Sequence, residues 1–285
     1  EQIKNDQSPL KFQRTEQNSK ASRMLMVTNI SGMAQGILGR TVSSPFPYRW
    51  RIVEGRLPHR RQGIRPATSR FGKLVDFKLV GKTGDRLTFA LIDNEELQEY
   101  PFHFNLAVSY RLAGNELHII WHVENTDDKV IYFQIGGHPA FKVPGCKKGE
   151  KLKAFLKLDN EAPTASSLPS EAASTNARET VQTDNGILEV TDESFADDAY
   201  IFDKSQVKQI SLLNEKGEPH VTVEFKTPAV GVWNPGNHAP FVCIEPWFGT
   251  CDWAEYTGEF KDKYMMNSLQ PGASFMSEYI IRIEK

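Results

Sequence analysis

The sequence predicts an all-β protein, a sandwich or barrel made of many short strands. From about residue 74 to the end, apolar residues alternate with polar ones, so that each set covers one face of a pleated strand. No long segment repeats its apolar residues every ~3.6 positions, as an amphipathic helix would. The 11% of aromatic residues also suits strands. Short strands without intervening helices are typical of sandwiches and barrels.

The clearest pair of strands covers 104–112 and 117–123, where every second residue is apolar or aromatic. The residues between them, Ala113 to Glu116, are of the type found in hairpin turns and predict a meander. The segment 160–180 is rich in Ser, Ala, Thr, Glu and Pro and predicts a surface loop. Further strands are predicted at 87–91, 130–135, 187–190, 209–213, 220–225, 241–245 and 278–283.

Composition bounds the organisation and the partners. With 285 residues, of which 39% are hydrophobic, the chain can bury a sizeable core, and we expect a single domain over 1–285. The net charge of −2 predicts neither a nucleic-acid partner nor a membrane partner. The three cysteines are widely spaced and form no disulfide framework. The sequence contains no CxxC pair, so a structural zinc site is not predicted. No signal peptide and no transmembrane segment is expected, which favours a cytoplasmic protein, either a monomer or a homodimer.

Residues 25–73 differ from the rest, because strand alternation is poor and arginine is dense there. This run is either a solvated loop face or a phosphate or nucleic-acid patch. The arginines are Arg40, Arg49, Arg51, Arg56, Arg60, Arg61, Arg65 and Arg70.

A first candidate catalytic group is His138, within Gly136-Gly137-His138-Pro139-Ala140-Phe141 after an apolar strand. Two glycines allow a close turn and the proline stops the strand, so the imidazole would sit at a strand end within reach of a ligand. Imidazole can give or take a proton near neutral pH. The alternative is a turn with an incidental histidine.

A second candidate is Glu245, which is expected to end the apolar strand 241–245. A carboxylate there is costly to bury without a partner, so it is either functional or paired with an arginine at the sheet end. Trp247 beside it offers a flat face on which a sugar ring could stack.

Asp197 and Asp198 precede the apolar run 199–202. They could bind sugar hydroxyls or a metal, or they could simply be the aspartates that are common in turns. Too few oxygen ligands accompany them to predict a metal site. The other histidines, together with Cys243 and Cys251, are interpreted as structural residues.

Taken together, these segments resemble the aldose 1-epimerase superfamily, especially the bacterial galactose mutarotase-like branch found as lactose-operon accessory products. The resemblance rests on Gly136 to Phe141 after 125–128, on Asp198 to Phe202, on Gly231 to Trp233, on Ala239 to Gly249, and on the closing turn at 269–272. Their order and spacing agree with the family from about residue 74 to the end.

The resemblance implies a galactose mutarotase-like antiparallel β super-sandwich with a sugar cleft, and ring opening and reclosure at the anomeric carbon. By analogy, Glu245 removes the proton of the anomeric hydroxyl and His138 protonates the ring oxygen. Asp198 would hold sugar hydroxyls, and Trp247 or Trp233 would pack on the ring. No metal or organic cofactor is implied, since proton transfers alone suffice.

The first quarter of the chain departs from the family pattern. Where the family carries a second active-site histidine and, four residues later, an arginine, this sequence has Ser69 and Lys73. Arg56, in a segment resembling the family's Val-Gly-Arg-Leu, is the candidate substrate-binding arginine. Either the second histidine is lost, or His59 takes its role from a shifted loop.

Three functions follow from this pattern. The main prediction is a 1-epimerase acting on a free aldose. The second is an epimerase of a hexose 6-phosphate, for which the arginines over 49–65 would supply the phosphate site. The third is a non-catalytic carbohydrate-binding protein on the same fold.

Overall fold

The computed structural model describes residues 10–14, 25–29, 77–92, 102–166, 178–196, 199–250 and 258–284. Twenty strands run through these ranges, and the helices found among them are two short 3-10 turns, Glu193–Phe195 and Phe260–Asp262. The prediction of an all-β protein is confirmed. Neither of the two helical turns is long and apolar enough to cross a membrane.

The strands are numbered in chain order. The first ten are β1 Leu10–Arg14, β2 Leu25–Asn29, β3 Lys78–Lys82, β4 Arg86–Ile92, β5 Phe104–Ala113, β6 Glu116–Asn125, β7 Ile131–Phe133, β8 Ile135–Gly136, β9 Ala140–Lys142 and β10 Lys153–Leu158. The other ten are β11 Thr164–Ala165, β12 Glu179–Thr180, β13 Ile187–Thr191, β14 Tyr200–Phe202, β15 Gln209–Leu213, β16 Pro219–Phe225, β17 Ala229–Trp233, β18 Phe241–Phe248, β19 Asn267–Leu269 and β20 Ser274–Ile283.

The chain divides into two compact units, the first containing β1–β6 and β20 and the second containing β8–β18. Each is described by itself. The prediction of a single domain over 1–285 stays a prediction.

In the first unit, β20, β6, β5, β4 and β3 lie side by side in antiparallel order, and β1 pairs with β2. The predicted hairpin is confirmed: Gly114 has a φ of 62° at the turn between β5 and β6, a conformation that glycine adopts readily. One face of this sheet buries the apolar residues of the alternating pattern. Trp121 and Tyr279 pack there with ring centroids 5.1 Å apart.

The second unit contains two larger sheets and the short antiparallel pair β11-β12. One has the order β13-β10-β15-β16. The other has the order β14-β17-β18-β8, and β9 also pairs with β18. Strands β17 and β18 are buried on both faces, as their near-continuous apolar sequences suggest.

One face of β17 and β18 packs a fully buried aliphatic layer formed by Val230, Val232, Val242 and Ile244. The opposite face carries Cys243, Glu245 and Trp247, because alternate residues of a strand point to the same side. Glu245 was expected to end its strand, and that expectation is wrong: β18 continues to Phe248. The strand continues because Glu245, Pro246 and Trp247 keep their partners on β17.

Candidate active site

The candidate site lies where β8 and β9 run past β18 in the second unit. Gly136 pairs with Trp247, and Ala140 pairs with Cys243. The same register, continued between them, places His138 directly opposite Glu245. The backbone bonds on either side agree, because Gly137 N donates to Pro246 O at 2.9 Å and Ile244 N to Pro139 O at 3.3 Å.

Each member of this facing pair is followed by a proline, Pro139 after His138 and Pro246 after Glu245. A residue before proline is restricted to extended backbone conformations, so both side chains start from a fixed direction. In an antiparallel pair, side chains at a position without its own backbone bonds approach most closely. The bonds flanking His138 and Glu245 put them at such a position.

The two side chains accordingly meet. His138 Nδ1 lies 2.9 Å from Glu245 Oε1, a distance that fits an ion pair. The side chain of His138 is 8% exposed and that of Glu245 is 0% exposed. Because a carboxylate is costly to bury, it needs a close polar partner, and the imidazole of His138 is in that position.

Two tryptophans on the same face frame the pair. Trp233 on β17 is partly exposed, and its ring meets that of His138 edge to face, with centroids 5.7 Å apart. Trp247 is 7% exposed and packs with Ala199, Ile201 and Ala229. Stacking of a sugar ring on either tryptophan stays a prediction, and Trp233 is the more accessible of the two.

The position of Trp247 depends on two glycines. A Cβ built on Gly231 would come within 2.6 Å of the indole Cη2, and one built on Gly136 within 2.5 Å of its Cδ1. Both distances are shorter than any normal van der Waals contact. The Trp247 indole therefore fits only because Gly231 and Gly136 have no side chains. Gly231 faces Glu245 across β17 and β18, so the indole covers the backbone position directly opposite Glu245.

Cys243 lies next to His138 and Glu245 and is the third polar side chain of the site. Its Sγ, a nitrogen of His138 and a carboxylate oxygen of Glu245 all lie within 4.8 Å of one another. Burial, and then the negative charge of Glu245, hold the pKa of the Cys243 thiol well above its ordinary value. The thiol is therefore neutral at physiological pH. Its residue type was visible in the sequence, but its place in the site follows only from the strand register.

A buried polar network lies elsewhere in the same unit. Asp203 is 2% exposed and accepts hydrogen bonds from Arg178 Nε at 3.1 Å, from Arg178 Nη2, and from the Tyr264 hydroxyl at 3.0 Å. The carbonyl of Tyr264 in turn accepts from Gln134 Nε2 at 3.1 Å, just before β8. This chain of contacts anchors the segment that leads into β8 and His138, and no local sequence pattern predicted it.

Several predicted site residues lie outside the described residues. These are Asp198, Arg56 and Lys73, together with Ser69 and His59. Their roles stay predictions. Of the predicted residues that are described, the structure brings His138, Glu245, Trp233 and Trp247 together on one face of β17 and β18 and the turn beside them.

Known proteins share this arrangement of strands. A solved structure of a galactose mutarotase related enzyme from Lactobacillus acidophilus matches with a TM-score of 0.66 and 30% identity, covering 74% of this chain and 72% of that one. A galactose mutarotase-like protein from Lactobacillus casei ATCC 334 matches with a TM-score of 0.71 and 24% identity, covering 81% and 80%. The predicted galactose mutarotase-like fold is confirmed.

Sequence comparison agrees with the structural matches. The chain is 26% identical over 221 residues to the chromosomal protein LacX of Lactococcus lactis subsp. lactis, covering 75% of this chain and 73% of that protein. A family model described as aldose 1-epimerase matches residues 64–278, which include His138, Trp233, Glu245 and Trp247. The chain therefore belongs to the aldose 1-epimerase family.

Proposed function

We propose that this protein is an aldose 1-epimerase that interconverts the α and β anomers of a free hexose, with Glu245 as the base and His138 as the acid. The observation that carries the proposal is the 2.9 Å contact between His138 Nδ1 and Glu245 Oε1. The two oxygens that exchange protons in ring opening are bonded to the same anomeric carbon. A base and an acid must therefore reach two neighbouring atoms, and this pair is close enough to do so.

The reaction begins with Glu245 ionised and His138 protonated. Glu245 takes the proton of the anomeric hydroxyl, a carbonyl forms at C1, and the C1–O5 bond breaks as His138 protonates the ring oxygen. The open aldehyde rotates about C1–C2. The same transfers in reverse then close the other anomer and restore both groups to their starting protonation states, so no cofactor or external proton source is consumed.

The surroundings of the pair support this role. Both side chains are almost fully buried, which excludes water and strengthens the electrostatic effect of each proton transfer. The partly exposed ring of Trp233 beside His138 offers an apolar face for the CH groups of a pyranose. The names of the related structures refer to galactose mutarotase, so galactose and glucose are the first sugars to test.

Polarimetry of freshly dissolved α-D-galactose and α-D-glucose tests the proposal. We expect the protein to accelerate mutarotation and Glu245→Gln to lose about 10²–10⁴-fold in rate, the usual contribution of a general base. The matched control is Glu278→Gln, which removes a glutamate 3.1 Å from a different imidazole, that of His118 in the first unit. Acceleration that survives Glu245→Gln, or no acceleration with any free hexose, contradicts the proposal.

A further inference from the structure

The candidate site gathers three different metal-ligating groups. His138 offers an imidazole nitrogen, Cys243 a sulfur and Glu245 a carboxylate oxygen, and these atoms lie within 4.8 Å of one another. Cys243 and Glu245 are fixed by the register of β17 against β18, and His138 by the register of β8 and β9 against β18. The group is thus held by backbone pairing and does not depend on a surface loop.

Its dimensions are near those of a tetrahedral zinc site. Zinc binds nitrogen and oxygen at about 2.0–2.2 Å and sulfur at about 2.3 Å, so ligand atoms around it lie roughly 3.3–3.6 Å apart. The His138–Glu245 separation of 2.9 Å is slightly shorter, and the 4.8 Å limit of the set is slightly longer. Side-chain rotations that move an atom by about 1 Å are enough to bridge the difference. Three protein ligands with one open position is the pattern of many catalytic zinc sites.

The ligand chemistry favours soft cations. Thiolate and imidazole select Zn²⁺ and similar ions, whereas Mg²⁺ and Ca²⁺ require oxygen ligands. Glu245 is 0% exposed and Cys243 is 1% exposed, so a cation bound between them would compensate a buried negative charge. Coordination deprotonates a thiol: the S–H bond breaks, an S–metal bond forms, and the proton passes to solvent.

We infer that His138, Cys243 and Glu245 form a binding site for a soft divalent cation, and that the bound cation blocks the acid–base pair. Binding itself is independent of the proposed epimerase activity, and only the inhibition rests on it. The two uses exclude each other because the imidazole and carboxylate that transfer protons would be occupied as ligands. The cation is therefore an inhibitor of this site and has no part in the ring-opening chemistry.

Direct binding tests the site without any activity measurement. Metal-free protein is titrated with Cd²⁺, whose thiolate complexes absorb in the near ultraviolet, and with Zn²⁺ in competition with a chromophoric chelator. We expect one ion per chain, a thiolate–cadmium band, and at least about tenfold weaker Zn²⁺ binding in Cys243→Ala. The matched control is Cys146→Ala, another buried free cysteine of the same unit, which should bind as the wild type does.

Absence of the thiolate band in the wild type, or equal Zn²⁺ affinity in Cys243→Ala, overturns the inferred site. Because the wild-type band needs no variant, misfolding of Cys243→Ala cannot conceal a negative result. Polarimetry with a chelator and then with excess Zn²⁺ tests the inhibition. Mutarotation that continues in zinc-saturated protein overturns the mutual exclusion. If the cadmium band appears but no sugar is epimerised in the chelator, the proposed function fails and the metal site stands.

Discussion

Gly231 faces Glu245 across strands β17 and β18, and the space left by its missing side chain is filled by the indole of Trp247. The glycine therefore leaves room for a large apolar ring opposite the residue that carries the buried carboxylate. A methyl group at this position would come within 2.7 Å of two indole atoms, so the ring would have to move.

We expect Gly231→Ala to lower the free energy of unfolding by about 1–3 kcal/mol, the usual cost of overpacking a core. Chemical denaturation monitored by tryptophan fluorescence measures the change. The matched control is Gly84→Ala, where an added Cβ meets nothing within 4 Å and φ is not positive. Equal stability of Gly231→Ala and Gly84→Ala would show that the indole does not depend on the glycine.

The contact between His138 and Glu245 makes a prediction about stability. Removing one partner of a buried pair leaves an uncompensated charge and typically costs about 3–5 kcal/mol. We expect His138→Ala to destabilise the protein by that order and the double variant His138→Ala/Glu245→Gln to regain part of the loss. A double-mutant cycle by urea unfolding at pH 7 measures the coupling. Strictly additive effects would show that the two groups do not interact energetically.

The partly exposed ring of Trp233 predicts a role in binding. We expect Trp233→Ala to raise KM for the sugar by about tenfold or more, because stacking on a pyranose is lost, while kcat falls less. Trp233→Phe, which retains a flat ring, should recover most of the affinity. Steady-state polarimetry at several sugar concentrations separates the two constants. A normal KM in Trp233→Ala would show that the Trp233 ring does not contribute to sugar binding.

Buried tyrosines in the first unit predict a loss of stability at alkaline pH. Burial, and then the charge of Tyr110, raise the pKa of Tyr279, and burial raises the pKa of Tyr110 to about 12. Because the folded pKa lies above the unfolded value near 10, the contribution to stability is fully present below pH ~10 and is lost as the pH rises through the folded value.

The free energy of unfolding should therefore fall between pH 10 and about 12. Tyr279→Phe should flatten that decrease, because phenylalanine has no proton to lose. Denaturant unfolding of both proteins at pH 8 and at pH 11.5 measures the difference. Lysine deprotonation is common to the two proteins and cancels. An equal decrease in wild type and variant would contradict the assignment.

The contacts of Asp203 predict a second stability effect. Its carboxylate accepts from Arg178 and Tyr264, and Asp203→Asn removes the charge while keeping the size. We expect a loss of about 2–3 kcal/mol, less than for a fully buried pair because the Arg178 side chain is 23% exposed. The control is Asp262→Asn, which breaks an exposed pair with Lys261 and should change stability by under about 1 kcal/mol. Thermal unfolding of both variants measures the two losses, and equal losses would contradict the prediction.

Many of the strands could be predicted from the sequence because alternation within about ten residues records them locally. The hairpin of β5 and β6 is the best example, since its turn and both of its strands are contiguous. The bounds of β15 were also predicted, because its five residues are followed by polar ones. The two-residue strands β11 and β12, inside the predicted loop 160–180, are too short to show alternation and were missed. The end of β18 was predicted three residues too early, at Glu245, because the apolar run that marks the strand is interrupted there.

The composition of the site could be named from the sequence, but its geometry could not. That His138 faces Glu245 depends on how strands about a hundred residues apart align, which no local pattern contains. The burial of Trp247 depends in the same way on glycines from two other strands. The neutral thiol of Cys243 became a possible ligand only when the register placed it beside the pair. Residues over 1–76 other than the two strands β1 and β2 lie outside the described residues, as does Asp198, so their predicted roles remain to be tested.

The prolines that follow His138 and Glu245 have a consequence for local opening of the sheet. In an antiparallel ladder, each hydrogen-bonded pair of residues normally exchanges two backbone hydrogen bonds. Proline has no N–H to donate. The pair Gly137–Pro246 and the pair Pro139–Ile244 therefore have one backbone hydrogen bond each. The ladder is therefore weakest on both sides of His138 and Glu245. In native-state hydrogen exchange, the amides of Gly137 and Ile244 should exchange earlier than those of the fully bonded β17–β18 ladder. Such an opening would give a ligand access to the buried pair His138 and Glu245 without unfolding the rest of the sheet.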